Sequence, residues 1–139
     1  MALERIDPPD LATPETDTHV VVASGSRLVF VAGQVAEDDQ GRLVGPGDLA
    51  AQARQAFANV GRALAAAGAR PDQVTKITIF VVDLREEDLP AIDEGRVALF
   101  REHKPADALI GVAALAHPGC LIEVEAIAVV DAQDTGGRS

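Results

Sequence analysis

The run Val74-Thr75-Lys76-Ile77-Thr78-Ile79-Phe80-Val81-Val82 constrains the fold more than any other segment, because nearly every position carries a β-branched or aromatic side chain. Side chains alternate across a strand, so Ile77, Ile79 and Val81 share one face while Thr78, Phe80 and Val82 share the other. The pattern predicts a central strand. A second run, Ile122-Glu123-Val124-Glu125-Ala126-Ile127-Ala128, is built of strand formers and alanine yet sets two carboxylates two residues apart. Glu123 and Glu125 therefore point the same way, opposite to Ile122, Val124 and Ala126. At least one of the two is a candidate functional group.

Other elements assemble around these strands. Residues 19–23 and 28–32 are rich in β-branched side chains and are joined through Ser24-Gly25-Ser26, which predicts a hairpin. Asp48 suits the N-cap of a helix whose apolar positions Leu49, Ala53, Ala56, Phe57, Val60 and Leu64 recur at helical spacing, with Gly68 as its C′ residue. Asp88 and Pro90 open a second helix carrying Ile92, Leu99 and Phe100, and Pro105 prevents its continuation. Residues 109–115 and 121–130 complete the sheet. Only two helices are available to cover it, so one apolar face stays bare, and such a face meets another layer or another subunit.

Pro8, Pro9 and Pro14 favour an extended arm over residues 1–18, and Gly136-Gly137 mark a frayed tail over 131–139. Between them residues 19–130 form one domain, as the length of 139 residues suggests.

Twelve basic against twenty-two acidic residues leave a net charge of −10, which repels phosphate backbones and anionic membrane surfaces. With four Phe, no Trp and no Tyr, the chain also lacks the stacking platforms of single-strand binders. Nucleic acid is a poor partner on both grounds. Cys120 is the single cysteine, which excludes an intrachain disulfide. The opening residues show no basic stretch followed by an apolar one, and no apolar run reaches membrane-spanning length, so the expectation is a cytoplasmic protein with no leader. The glycines between Gly41 and Gly47 lack the Gly-Lys-Ser/Thr ending of a phosphate loop, and the three histidines show no metal-ligand spacing with one another or with Cys120.

The segments Val31-Ala32-Gly33-Gln34, Gln52-Ala53-Arg54-Gln55-Ala56, Asn59-Val60, residues 74–81, Glu102-His103-Lys104-Pro105-Ala106 and Glu123-Val124-Glu125-Ala126-Ile127-Ala128 occur in an order and spacing that resembles the Rid family, the reactive intermediate deaminases also called YjgF-like or L-PSP endoribonuclease-like proteins. The resemblance spans residues 19–130. It implies a chorismate-mutase-like α/β (α+β) fold with a mixed sheet covered on one face by two helices. It further implies a homotrimer with sheets inward and a small-molecule cleft at each subunit interface. The implied activity is hydrolysis of imines or enamines of 2-oxo acids, with no metal or organic cofactor.

Carried over residue by residue, the family's active-site glutamate falls on Glu123 and its conserved glycine on Gly33. The arginine that grips the substrate carboxylate falls on Asp107, a reversal of charge. His19, Ala32 and Asp93 stand where the family has an aromatic, a serine and an asparagine. Glu123 is thus expected to organise a water and protonate a leaving amine, with Glu125 as a support residue. His19 and His117 are candidate proton donors, while Cys120 suits a small buried hydrophobe better than a nucleophile. His103, at the end of the second helix, suits the helix dipole. Losing one partner of a close charge pair costs roughly 2 to 5 kcal/mol, so specificity altered from 2-imino acids is expected. A non-catalytic binding trimer is the alternative, and an endoribonuclease the third reading.

Overall fold

The computed structural model describes residues 2–131; the expected tail over 131–139 lies, apart from Asp131, outside the described residues. Six strands and two α-helices follow in the order β1 (Ala2–Ile6), β2 (Val20–Ser24), β3 (Arg27–Gln34), α1 (Leu49–Ala66), β4 (Val74–Val82), α2 (Leu89–Phe100), β5 (Ala106–Val112) and β6 (Ile122–Val130). A four-stranded mixed sheet runs β3-β6-β4-β5, with β4 and β5 parallel and the other neighbours antiparallel. The run that most constrained the fold is a central strand of this sheet. Among the described residues no helix is long and apolar enough to cross a membrane.

Both helices lie on one face. The Asp48 carboxylate accepts the Ala51 N–H at 3.1 Å and so caps α1, and Gly68 takes the left-handed conformation (φ 77°) that ends it. The face of α1 carrying Ala53, Ala56, Phe57, Val60 and Leu64 is buried against Ile77, Ile79, Ile122 and Val124. Gly95 on α2 faces Ala53 so closely that an added Cβ would lie 3.0 Å from the Ala53 Cβ, which lets the two helices pack nearly in contact. On the other face Leu28 and Phe30 are 63% and 71% exposed. The expected bare face is present.

The hairpin between β2 and β3 does not form. Instead β2 pairs with β1 in a separate two-stranded antiparallel sheet, with Val22 opposite Glu4, while β3 pairs with β6. Gly25 lies against the end of β6, where an added Cβ would meet Val129 Cγ1 at 2.7 Å, and Ser26 N–H donates to the Val130 carbonyl at 3.2 Å. The turn chemistry was right, but both strands found better partners far away in sequence. Likewise the first residues of the expected extended arm supply β1, and Pro8-Pro9 follow that strand rather than prevent it. Asp88, expected to cap α2 through its side chain, accepts the Arg85 N–H at 2.9 Å instead.

Candidate active site

Glu123 projects from the bare face, opposite Phe80 across the β4–β6 pair, while Ile122 and Val124 point into the core. Pairing between β3 and β6 slips between Val31 and Gln34, and Gly33 sits in that irregularity. An added Cβ there would fall 2.7 Å from the Glu123 carboxyl carbon, so only glycine lets the carboxylate lie against the β3 backbone. Two buried or partly buried amides on α1 pin the loops on either side. Asn59 Nδ2 donates to the Val35 and Glu37 carbonyls, both at 2.9 Å. Gln52, fully buried, donates to the Gly45 and Gly119 carbonyls at 3.1 and 3.0 Å and accepts the Leu121 N–H at 2.8 Å. The loop that leads into β6 therefore has a fixed exit, and with it the direction of Glu123.

An open cleft of about 500 Å³ adjoins Gly33, lined by Glu37, Asp38, Asn59, Arg62 and His117. His117 Nε2 lies 3.8 Å from Glu37 Oε1. Cys120 is 5% exposed, and burial, reinforced by the Glu37 and Glu123 charges, pushes its thiol pKa upward. That environment disfavours a thiolate nucleophile. Ala32 is exposed on β3, and its carbonyl accepts the Gln34 side chain at 3.0 Å.

Asp107 lies elsewhere. On β5 it pairs with Ile77, whose side chain is fully buried beneath the helices, so it shares the helix-covered face and Glu123 does not. The possibility that these two carboxylates couple within one chain is removed by this geometry. Asp107 instead lines a cavity of about 110 Å³ with Thr16, Ile79, Asp93, Arg96 and Leu109. Burial, with the nearby Asp17 charge, raises its carboxyl to about 6, against the opposing pull of Arg96 and Lys76. Asp93 pairs with the Arg96 guanidinium one helical turn on.

His19 joins neither group. Its N–H donates to Asp7 at 2.8 Å and its ring Nε2 lies 2.6 Å from the Ala12 carbonyl, which ties it to the amino-terminal segment. His103 packs on Phe100 and bonds the Val74 carbonyl at 2.8 Å, and burial lowers its pKa. Among the described residues no group of three His, Cys, Asp or Glu side chains converges to hold a metal.

Sequence reasoning missed Arg96, which is 5% exposed, and the supporting roles of Gln52 and Asn59. A signal existed for Gln52. It interrupts the apolar face of α1 beside Ala53 and Ala56, and a polar group there needs partners.

A family model described as Endoribonuclease L-PSP matches residues 14–130 of this chain. The 2-iminobutanoate/2-iminopropanoate deaminase of Rattus norvegicus is 37% identical over 111 residues, covering 80% of this chain and 79% of that one. A RutC family protein of Pyrococcus horikoshii is 35% identical over 101 residues, covering 73% and 78%. Among solved structures, a Rid family protein of unknown function from Yersinia pestis is similar with a TM-score of 0.88 at 38% identity, covering 94% of this chain and all of that one. The YjgF gene product of E. coli gives a TM-score of 0.65 at 35% identity, covering 77% and 84%.

Proposed function

This chain belongs to the Rid family, also described as Endoribonuclease L-PSP, and on that premise we propose that it hydrolyses the C=N bond of a small reactive imine. The observation that carries the reading is the Glu123 carboxylate seated against Gly33 at the β3 irregularity. Held there, Glu123 takes a proton from water as the oxygen attacks the imine carbon, and returns it to nitrogen as the C–N bond breaks. The imine and one water leave as a carbonyl compound and ammonia. Backbone groups beside Gly33 orient the substrate.

The second half of the cleft comes from another copy. Glu123 and the Asp93–Arg96–Asp107 group occupy opposite faces of one sheet, so no single chain presents both to one ligand. A trimer with sheets inward brings the exposed Leu28 and Phe30 faces together and lets the edge strand β5 of one copy approach the Glu123 of the next.

The test supplies purified protein with 2-iminopropionate formed in situ by an amino-acid oxidase and follows semicarbazone formation. Faster loss of imine than in the protein-free reaction is expected. No acceleration there, or with neutral and cationic imines, overturns the proposal. Asp107 favours a second reading, a trimer that holds a metabolite without turning it over; a saturable thermal shift with no product formed would support it.

A further inference from the structure

The segment between β1 and β2 takes no part in the hydrolytic step, yet it is built as a closed loop. Ile6 and Val20 pair at the end of the β1–β2 ladder, so residues 7–19 leave and return at one neck, as in an Ω-loop. Within the loop the His19 backbone N–H donates to the Asp7 carboxylate at 2.8 Å, and the His19 ring Nε2 lies 2.6 Å from the Ala12 carbonyl. The Leu11 N–H donates to the Pro8 carbonyl at 3.1 Å, and Pro8, Pro9 and Pro14 each fix a backbone φ. A loop braced in this way moves about its neck as a unit.

The loop reaches across to the helix-covered side of the sheet. Thr18, 3% exposed, donates its hydroxyl to the Lys104 carbonyl at 2.5 Å, just ahead of β5. Thr16 lines the cavity of about 110 Å³ between α2 and β5, together with Asp93, Arg96 and Asp107. Asp17, between these two contacts, faces two ways. Its charge acts on the partly buried Asp107 carboxyl, and it also borders a surface depression of about 330 Å³ that holds Arg5 and Lys104. Inward it meets like charge, and outward it meets cations. Asp7 and Glu102 share the depression. Around Asp107, Arg96 from α2 and Lys76 from β4 favour the ionised carboxylate, while burial, Asp17 and Asp93 oppose it.

We propose that residues 7–19 are a strap over the α2–β5 cavity, closed while Asp107 is protonated and lifted when Asp107 ionises against Asp17. Lifting lets water reach the Asp107 carboxylate and turns Asp17 toward Arg5 and Lys104; closing buries a neutral Asp107 beneath Thr16. The closed strap holds the Asp107 carboxyl at about 6 against an ordinary 3.8, so proton binding favours closure. The ratio of lifted to closed strap therefore grows as pH rises through 6, by about a hundred-fold if lifting restores the ordinary value completely. His19 serves the clasp in both charge states, because the Ala12 carbonyl accepts and Nε2 donates whether or not the ring is charged. The inference goes beyond the deaminase reading and does not depend on it.

Hydrogen exchange of the full chain, with each rate divided by the intrinsic rate at the same pH, tests this directly. Between pH 5 and 8 the amides of residues 7–19 lose about ten-fold or more of their protection, while those of β4 lose less. Asp107→Asn abolishes the fall, Asp17→Asn makes it smaller, and His19→Gln, which keeps a donor for Ala12, retains it. Strap protection that ignores pH in wild type, an equal fall in Asp107→Asn or in β4, or loss of the fall in His19→Gln overturns the inference. Should Asp107→Asn fail to fold, proteolysis of wild type decides. Endoproteinase Glu-C cuts after the exposed Glu15, and its rate on the protein, relative to a free peptide of residues 7–19, rises about ten-fold or more over the same range. A ratio that stays flat overturns the inference as well.

Discussion

The two faces of the central sheet carry opposite kinds of chemistry. On the bare face Glu123 of β6 lies against a short irregularity of β3, between loops that Gln52 and Asn59 pin from beneath. On the helix-covered face Asp93, Arg96 and Asp107 line a small cavity in which burial raises the Asp107 carboxyl. One face positions a carboxylate beside open space; the other withdraws charges from water. The difference teaches that a strand's alternation separates groups onto opposite faces of a sheet; in the proposed trimer, association of copies is what would bring them together.

The comparison breaks first at Glu123. Glu123→Gln keeps the shape of the carboxylate and removes its proton transfer, so turnover falls about 100- to 10,000-fold with little change in thermal midpoint. Preserved activity in a steady-state assay would transfer the chemistry to the other face. Gly33→Ala is expected to push the carboxylate from its seat, since the added methyl cannot coexist with it. A displacement of about 1 Å costs up to roughly 100-fold in rate, and the ratio of kcat to KM in this variant measures how tightly the irregularity aims Glu123.

Phe30→Asp addresses the assembly. The side chain is 71% exposed in one chain, so the substitution leaves the protomer folded while placing a charge on the bare face. Sedimentation should show dissociated copies, with activity reduced about ten-fold or more at low protein concentration, the equivalent of some 1.4 kcal/mol. An assembled and fully active Phe30→Asp would mean that the bare face is not where copies meet.

The smallest effect sharpens the other face. The folded chain holds the Asp107 carboxyl at about 6 against an ordinary 3.8, so it binds this proton more tightly than the unfolded chain does. The resulting stability is fully present below the ordinary value and is lost as pH rises through the folded one. Asp107→Asn removes that dependence. Denaturant midpoints should favour the variant above pH 7 by about 1 kcal/mol after allowance for solvent screening, and the gain should vanish near pH 4. A parallel pH profile for both proteins would show that Asp107 ionises freely.

Where local signals and long-range partners agreed, the sequence was legible. The alternation over β4, the Asp48 cap and the Gly68 terminus of α1 mark elements whose neighbours reinforce the local preference. The Ser24-Gly25-Ser26 turn failed because turn chemistry says that the chain bends and not which strand it meets afterwards. Arg96 escaped notice for a related reason. In sequence, a single arginine on a helix looks like a solvated charge, and its burial arises only when β5 and α2 close around it.

From residues alone follow both helices and the strands other than β1, the side-chain alternation within each strand, the excess of negative charge and the family. All of these depend on nearest neighbours, on composition or on motif spacing. Tertiary structure decided which faces of different strands coincide, because facing between strands depends on register: Asp107 pairs with Ile77 and Glu123 with Phe80. That single offset sends Glu123 and Asp107 to opposite sides of the sheet.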